Sequence, residues 1–470
     1  MKDSNIEISQ GKNIIVPAEL CNCNGNLLLV GNLKGFFGDI VDNKLVADGA
    51  FWETNLTLLF NALNNENSQI FIVGPKNFYV YMEQVINYLV DIKFISWGVV
   101  NKTIKPIMVP KDKEESPYEE YLSEKLINYI KKTNMKFDTI IQNPPYNGSL
   151  HLDFLEKGID LLSENGKMVI IEPSTWLINL RKNGKAKRYD AIKEKLNGHI
   201  VSVTIQNLNK EFGTNLFMPF ATTTIDMNNY YPTIKFTCCG EEKNPVDNIY
   251  DCNLIGDYKT IWSIFEKVQK YGDMMKNHIT KKDMGNGYWY TKYSEIIGSD
   301  SIGCASTTNR VGMKYDGDSA LWINCSNGEY AKGYFITLWH TFNNMISPKP
   351  LCSYDRGKHL TDNVTTNIYG TKEELENWKY FIFNNKLPLF LNICLTFDQN
   401  NNSKDFLPWL VDKKYTDEEI NKMFNFTDDE IKLIDKTLKK FERNSPWFKR
   451  YMCGPDSVST EDINNFINSL

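Results

Sequence analysis

Between residues 69 and 226 the sequence alternates short apolar runs with longer amphipathic segments, and this alternation constrains the fold more than any other feature. The predicted strands are 70–74, 92–97, 104–109, 137–141, 167–173, 200–205 and 220–226. The predicted helices are 78–90, 119–132, 150–162 and 189–196, and Glu164–Gly166 is expected to end the third. Strands that are separated by helices pair in parallel through crossover connections, so the sequence predicts an α/β fold with a doubly wound sheet.

The chain has 470 residues, which is enough for two or three domains. Residues 1–235 contain the alternation of strands and helices and predict one domain. Residues 236–370 are rich in Gly, Asn and aromatic residues and predict a module that contains β-structure. Residues 371–470 predict helices, and Thr416 and Thr427 each stand three residues before a Glu, which is typical of a capping box at the start of a helix.

Composition argues against several classes of function. No apolar run approaches the roughly 20 residues of a membrane-spanning helix, and the polar start has no signal-peptide pattern, so we expect a cytoplasmic protein without a membrane partner. The ten cysteines form no Cys-x-x-Cys pair and only five histidines accompany them, which predicts reduced thiols and no metal site. The net charge of −5 means that any nucleic-acid surface must be local.

The strand 137–141 runs directly into Asn143-Pro144-Pro145-Tyr146, and this is the most informative site in the sequence. Ligands of open α/β sheets bind beyond the carboxyl ends of the strands. The Asn143 side-chain oxygen and the Pro144 carbonyl could accept hydrogen bonds from an exocyclic amino group, while Tyr146 stacks on the ring that carries it. Two acceptors can direct the lone pair of a weakly nucleophilic aromatic amine at an electrophile, so positioning would supply most of the rate.

Residues 136–146 (KFDTIIQNPPY) resemble motif IV of the amino-methyltransferases that use S-adenosylmethionine. The downstream segments 161–171 and 211–225 are similar to those of the gamma-ordered N6-adenine DNA methyltransferases of the Eco57I-like restriction-modification type. Residues 406–409 and 415–431 are similar to the closing segment of several phage and restriction-system methylases.

This resemblance implies a Rossmann-like methyltransferase sheet, followed by a C-terminal mixed α/β target-recognition region that includes residues 236–370. It implies S-adenosylmethionine as the cofactor, double-stranded DNA as the partner, and transfer of a methyl group to N6 of an adenine flipped out of the duplex. Asn143, Pro144, Pro145 and Tyr146 would hold that adenine. No nuclease signature accompanies these motifs, so we expect methylation without cleavage.

The cofactor loop of the family, an aromatic residue followed by Gly-x-Gly, has no exact counterpart in this sequence. At the expected distance before Asn143, the candidates for cofactor binding are Val73, Gly74, Pro75 and Asn77. A second candidate is the glycine-containing segment 31–39, about 110 residues before Asn143. The predicted second strand, 92–97, ends in Ser-Trp rather than in the acid that usually binds the ribose hydroxyls.

Two alternatives therefore stay open at this level. The same tetrapeptide also serves methylation of RNA bases and of protein glutamine. The atypical cofactor loop is compatible with a methyltransferase-fold protein that binds DNA or another subunit without transferring a methyl group.

The candidates for nucleic-acid contact lie in two places. The densest basic stretch, 181–188, contains no acid and is suited to contact phosphates. In the presumed recognition region, an Asn and an Arg are suited to read adenine and guanine edges. The predicted contacts are Arg181, Lys182, Lys185, Lys187, Arg188, Asn309 and Arg310.

Overall fold

The protein is described from a computed structural model. The described residues are 7–8, 25–31, 33, 39–41, 44–47, 58–59, 61–62, 68–74, 76–91, 104–108, 135–144, 146, 149–180, 187–209, 219–242, 245–278, 290–292, 302–305, 321–323, 334–339, 354–356, 359–361, 365–370, 372–395, 406–442, 444–454 and 457–470.

The described strands are β1 (Glu7–Ile8), β2 (Leu27–Gly31), β3 (Asp39–Val41), β4 (Lys44–Ala47), β5 (Ile70–Gly74), β6 (Ile104–Met108), β7 (Phe137–Asn143), β8 (Leu162–Pro173), β9 (Ile200–Gln206), β10 (Phe220–Asp226), β11 (Lys235–Cys238), β12 (Glu241–Glu242), β13 (Tyr290–Lys292), β14 (Ile302–Ala305), β15 (Leu321–Ile323), β16 (Tyr334–Trp339), β17 (Tyr354–Arg356), β18 (His359–Thr361) and β19 (Thr365–Gly370). The described α-helices are α1 (Lys76–Asp91), α2 (Leu150–Leu161), α3 (Thr175–Ile178), α4 (Lys187–Leu196), α5 (Tyr258–Gln269), α6 (Lys372–Asn384), α7 (Lys386–Leu395), α8 (Asp417–Met423), α9 (Asp428–Lys440), α10 (Pro446–Cys453) and α11 (Thr460–Asn468).

The largest sheet has nine strands in the order β12-β11-β9-β10-β8-β7-β2-β5-β6. Parallel pairing runs from β6 through β5, β2 and β7 to β8, and β10 lies antiparallel between β8 and β9. Chain order reverses at β2, because later strands are added first on its β5 side and then on its β7 side. This is the strand order of a doubly wound Rossmann-like sheet. The predicted fold class, an α/β fold with a Rossmann-like doubly wound sheet, is confirmed.

The inner strands of the sheet are mostly apolar and buried. Every residue of β2 is buried, as expected for a strand in the middle of a parallel sheet. On one face, α2 lies close to β7 and β8, where a Cβ added to Gly158 would come 2.7 Å from Gln142 Nε2. Gln142 Nε2 also donates to the Phe154 carbonyl at 3.2 Å, so the buried amide is satisfied by the helix that covers it.

One sequence prediction at this position is wrong. The segment Glu164–Gly166 was expected to end a helix, but α2 ends at Leu161 and residues 162–173 form β8. A Cβ added to Gly166 would come 2.7 Å from the Phe137 carbonyl oxygen, so glycine is needed for a close approach of β8 to β7. The predicted strand 92–97 and helix 119–132 lie outside the described residues. The other predicted strands and helices between 69 and 226 are confirmed, with small differences at their ends.

The chain divides into two compact units. The first contains residues 1–177, 182–252 and 449–465, and the second contains 178–181, 253–448 and 466–470. The nine-stranded sheet belongs to the first unit, where Asn207 Nδ2 donates to the Met452 carbonyl at 2.8 Å and thereby binds the returning segment 449–465. The functional division at residues 235 and 370 stays a prediction.

The second unit contains two small sheets, ordered β13-β15-β14-β18 and β17-β16-β19, together with the helices from α5 to α9. Both predicted capping boxes are confirmed: Thr416 caps α8 with Glu419, and Thr427 caps α9 with Glu430. Glu430 is buried and also accepts hydrogen bonds from Ser263 Oγ and Lys267 Nζ, each at 2.7 Å. This contact joins the start of α9 to α5.

Among the helices that the structure describes, none has both the length and the apolar character that a membrane span requires.

Candidate active site at the carboxyl edge of the sheet

The site begins at the end of β7, between β2 and β8. The apolar residues of β7 are buried by the neighbouring strands and by α2, which fixes the position where the strand ends. Asn143 is its last residue and is buried, and so is Pro144, which follows it. A buried amide at the carboxyl end of a central strand is thus positioned by the sheet rather than by a loop.

Gly31, the last residue of β2, lies opposite Asn143 in the parallel register. Its φ of +81° lies in the left-handed region that glycine adopts without strain. A Cβ added at Gly31 would overlap the Asn143 carbonyl oxygen. The two strand ends can therefore approach each other only because residue 31 is glycine. They meet at the point where chain order reverses, which is where ligands of such sheets bind.

Tyr146 connects Asn143 to a second aromatic residue. The Tyr146 hydroxyl donates a hydrogen bond to Asn143 Oδ1, and the Tyr146 ring contacts Phe220 edge to face, with 5.1 Å between ring centroids. Tyr146 is half-buried, whereas Phe220 is buried at the start of β10. The arrangement joins a hydrogen-bond acceptor to an aromatic surface, which suits a planar ring that carries an amino group.

Sequence reasoning missed Phe220, although it predicted the strand that contains it. Phe220 lies opposite Pro173, the last residue of β8, in the antiparallel register. Beside this pair, Ser174 donates to the Pro219 carbonyl through its amide at 3.0 Å and through its hydroxyl at 2.9 Å. The sequence did contain one signal for Phe220. It is an aromatic residue at the start of a strand that was predicted to belong to the same sheet as β7.

Glu172 is a buried carboxyl one residue before the end of β8. Its Oε1 accepts a hydrogen bond from Trp176 Nε1 at 2.7 Å, while Oε2 has no hydrogen-bond partner among the described residues. Burial raises the pKa of Glu172 well above its ordinary value, and the Trp176 hydrogen bond opposes this shift only in part. Burial therefore favours the protonated form of the Glu172 carboxyl.

The predicted cofactor residues lie one strand away from the point where chain order reverses. Val73 and Gly74 end β5, and Val73 pairs with Val30 of β2. Asn77 is in the first turn of α1, and Pro75 lies outside the described residues. The second sequence candidate begins at Gly31, which is at the reversal point itself.

The predicted nucleic-acid contacts are only partly described. Lys187 is exposed at the start of α4. Arg188 forms ion pairs with Asp153 and Glu156 of α2, the second with a distance of 2.6 Å, so its charge is already compensated within the first unit. Arg181, Lys182, Lys185, Asn309 and Arg310 lie outside the described residues, as does Pro145 of the tetrapeptide. Within the described part of the chain, no group of three or more His, Cys, Asp or Glu residues could hold a metal ion.

No protein-family model matches the chain, and no curated protein matches it. Among solved structures, a type I restriction-modification methyltransferase subunit from Streptococcus thermophilus is 15% identical, with a TM-score of 0.29, covering 48% of this chain and 45% of its own. A modification subunit of a type I restriction enzyme from Vibrio vulnificus is 11% identical, with a TM-score of 0.28, covering 51% and 50% of the two chains.

A class I S-adenosylmethionine-dependent methyltransferase from Listeria monocytogenes is 10% identical, with a TM-score of 0.28, covering 50% of this chain and 64% of its own. The matches thus extend over about half of the two restriction-system proteins and under two thirds of the Listeria protein.

Proposed function

We propose that the protein is an S-adenosylmethionine-dependent DNA methyltransferase that transfers a methyl group to N6 of an adenine flipped out of the duplex. The observation that carries this proposal is the geometry at the end of β7, where the Asn143 amide contacts the Tyr146 hydroxyl and the Tyr146 ring contacts the Phe220 ring. An acceptor next to an aromatic surface matches a base that must be both stacked and held by its amino group.

Each residue of the site has a separate task in this proposal. Asn143 Oδ1 and the Pro144 carbonyl accept hydrogen bonds from the adenine amino group, and Pro144 and Pro145 stiffen the turn that presents them. Tyr146 stacks on the base and excludes water. In the described structure the Tyr146 hydroxyl donates a hydrogen bond to Asn143 Oδ1. The incoming adenine amino group would replace this hydrogen bond with its own.

The cofactor would lie over the ends of β2 and β5. Because Gly31 lets the end of β2 lie directly beside Asn143, a cofactor bound over the end of β2 would be close to the acceptor. Val73, Gly74, Pro75 and Asn77 remain candidates at the neighbouring strand end. S-adenosylmethionine would supply an electrophilic methyl group on a sulfonium. Asn143 and Pro144 would direct the N6 lone pair at that methyl group, with the electrons of the carbon–sulfur bond left on sulfur and the displaced N6 proton passing to water.

Residues 236–370 would include the region that recognises the target sequence, within a protein encoded by a phage or a restriction system. This proposal rests on the resemblance of the motifs and on the extra chain beyond the sheet. A module of that length is useful for reading a duplex but unnecessary for a small local substrate.

The test is transfer of a labelled methyl group from S-adenosylmethionine to mixed-sequence duplex DNA, followed by nucleoside analysis. We expect labelled N6-methyladenine from the wild-type protein and none from Asn143→Ala. Tyr146→Phe is the matched control because it keeps the stacking ring and loses only the hydroxyl that contacts Asn143. We expect it to retain transfer.

RNA and protein substrates are assayed in parallel. Label in RNA or protein but not in DNA would replace the proposed substrate. Saturable binding of S-adenosylmethionine without transfer to any of them would favour a binding protein with a methyltransferase fold.

A further inference from the structure

The aromatic surface of the site depends on how the chain enters β10. Phe220 is the first residue of that strand, and Pro219 precedes it. The Pro219 carbonyl accepts two hydrogen bonds from Ser174, the residue that follows β8. Ser174 itself is fully buried, so its hydroxyl is not available to a substrate.

The pairing of Ser174 with Pro219 differs from that of a regular antiparallel ladder. In the antiparallel register Phe220 lies opposite Pro173, so Ser174 lies opposite Pro219. Such a pair normally exchanges two backbone hydrogen bonds, but Pro219 has no N–H and cannot return the one that it accepts. The Ser174 hydroxyl supplies a second bond to the same carbonyl. The last hydrogen bond between β8 and the start of β10 is therefore made by the Ser174 side chain.

We propose that Ser174 is a positioning residue for the base pocket, a role that rests on the proposed function. Its two bonds to Pro219 fix the start of β10 and thereby the Phe220 ring, which contacts Tyr146 at 5.1 Å between centroids. Tyr146 in turn contacts Asn143 through its hydroxyl. Ser174 thus acts on the base through two aromatic rings and does not touch it.

The first test measures the ring position without any substrate. 4-Fluorophenylalanine is incorporated at position 220, and ¹⁹F NMR spectra are compared for otherwise wild-type protein, Ser174→Ala and Thr223→Val. Thr223 is the matched control because its buried hydroxyl lies on the same strand and has no hydrogen-bond partner among the described residues. We expect a shifted or broadened resonance in Ser174→Ala only. An unchanged resonance in Ser174→Ala would overturn the proposal.

The second test measures the consequence for transfer. In Ser174→Ala the turnover number with DNA should fall about tenfold or more, because misplacement of a stacked base lowers the rate of a step that depends on orientation. The concentration of S-adenosylmethionine at half-maximal rate should not change, and Ser174→Thr, which keeps the hydroxyl, should recover the rate. Equal turnover in Ser174→Ala and wild type would also overturn the role.

These tests separate the two proposals. If the wild-type protein transfers no methyl group, the proposed function fails, while the fluorine spectra still decide whether Ser174 positions Phe220. If transfer occurs and the spectra do not differ, the function stands and the positioning role is lost.

Discussion

Asn143 and Glu172 are both buried polar residues near the same sheet edge, but their surroundings differ. Asn143 Oδ1 accepts the Tyr146 hydroxyl, so its acceptor is used. Glu172 has one carboxyl oxygen bonded to Trp176 and a second without a hydrogen-bond partner among the described residues. A buried carboxyl in this state avoids the cost of a buried charge by retaining its proton.

Because of Glu172, we expect the free energy of unfolding to fall as pH rises. Burial raises the pKa of Glu172 in the folded state above the ordinary value of 4.5, and the Trp176 hydrogen bond lowers it in part. Above about pH 4.5 the unfolded state has released this proton while the folded state retains it, so unfolding becomes easier. The loss is about 1.4 kcal/mol per pH unit until the folded-state carboxyl ionises.

Glu172→Gln should remove this contribution, because the amide can still accept from Trp176 and does not titrate. Urea unfolding at intervals between pH 5 and 8 measures it. The variant's free energy of unfolding should fall less with pH than that of wild type, and parallel curves would show that the carboxyl is not protonated in the folded state.

Glu430→Gln is a useful comparison, because the pKa of Glu430 is shifted in the opposite direction from that of Glu172. Although burial alone raises the pKa of Glu430, hydrogen bonds from Lys267, the Thr427 amide and Ser263 bring it below its ordinary value. Its contribution to stability is therefore lost as pH falls, so the Glu430→Gln curve should differ from wild type on the acid side.

At the scale of elements, the ends of β2 and β7 are held together at Gly31. Gly31→Ala should destabilise the protein by about 2 kcal/mol or more, because the methyl group adds strain at a positive φ and overlaps the Asn143 carbonyl oxygen. Gly272→Ala is the matched control. Its φ of +86° carries similar strain, but no described atom lies within 4 Å of the added Cβ.

The control variant Gly272→Ala should lower the free energy of unfolding by only about 1 kcal/mol. Chemical denaturation of the two variants measures the difference, which reports the approach of β2 to β7. Equal losses in both variants would mean that the two strand ends can separate without cost.

The local elements and the α/β class of this fold could be predicted from the sequence, whereas the order of the strands in the sheet could not. Strand β7 and the turn after it are contiguous, so the position of Asn143 at a strand end followed from the apolar pattern. The central place of β2 did not follow, because Leu27 pairs with Thr139 far along the chain. The sequence analysis therefore placed the first candidates for cofactor binding after β5 and named the segment that begins at Gly31 only second.

Phe220 was missed for the same reason. Its contact with Tyr146 depends on β10 lying antiparallel to β8, and a β-branched run predicts a strand without predicting its neighbour. The capping boxes at Thr416 and Thr427 show the opposite case, since every atom of each box lies within three residues.

At the scale of the whole molecule, a net charge of −5 requires any DNA contact to be local. The structure separates two cations of the predicted basic segment. Lys187 is exposed, whereas Arg188 is paired with Asp153 and Glu156. Of these two described residues, Lys187 is the one whose charge is free of an ion pair with α2 and can replace a counterion on a DNA phosphate.

Lys187→Gln should therefore lower the slope of log affinity against log salt by about 0.9, the value for one phosphate contact, while Arg188→Gln should leave it nearly unchanged. Fluorescence anisotropy with a labelled duplex at several salt concentrations measures both slopes. If the Arg188 variant has the larger effect, the ion pairs with α2 must open when DNA binds.

The division into units also determines the order in which the chain can fold during synthesis. Residues 253–448 lie between two parts of the first unit, and the segment 449–465 that Asn207 binds is made after them. The ribosome therefore releases nearly all of the second unit before the first can complete its contacts. Until the segment 449–465 has been synthesised, Asn207 lacks the Tyr451 and Met452 carbonyls that accept its hydrogen bonds, and the first unit is incomplete.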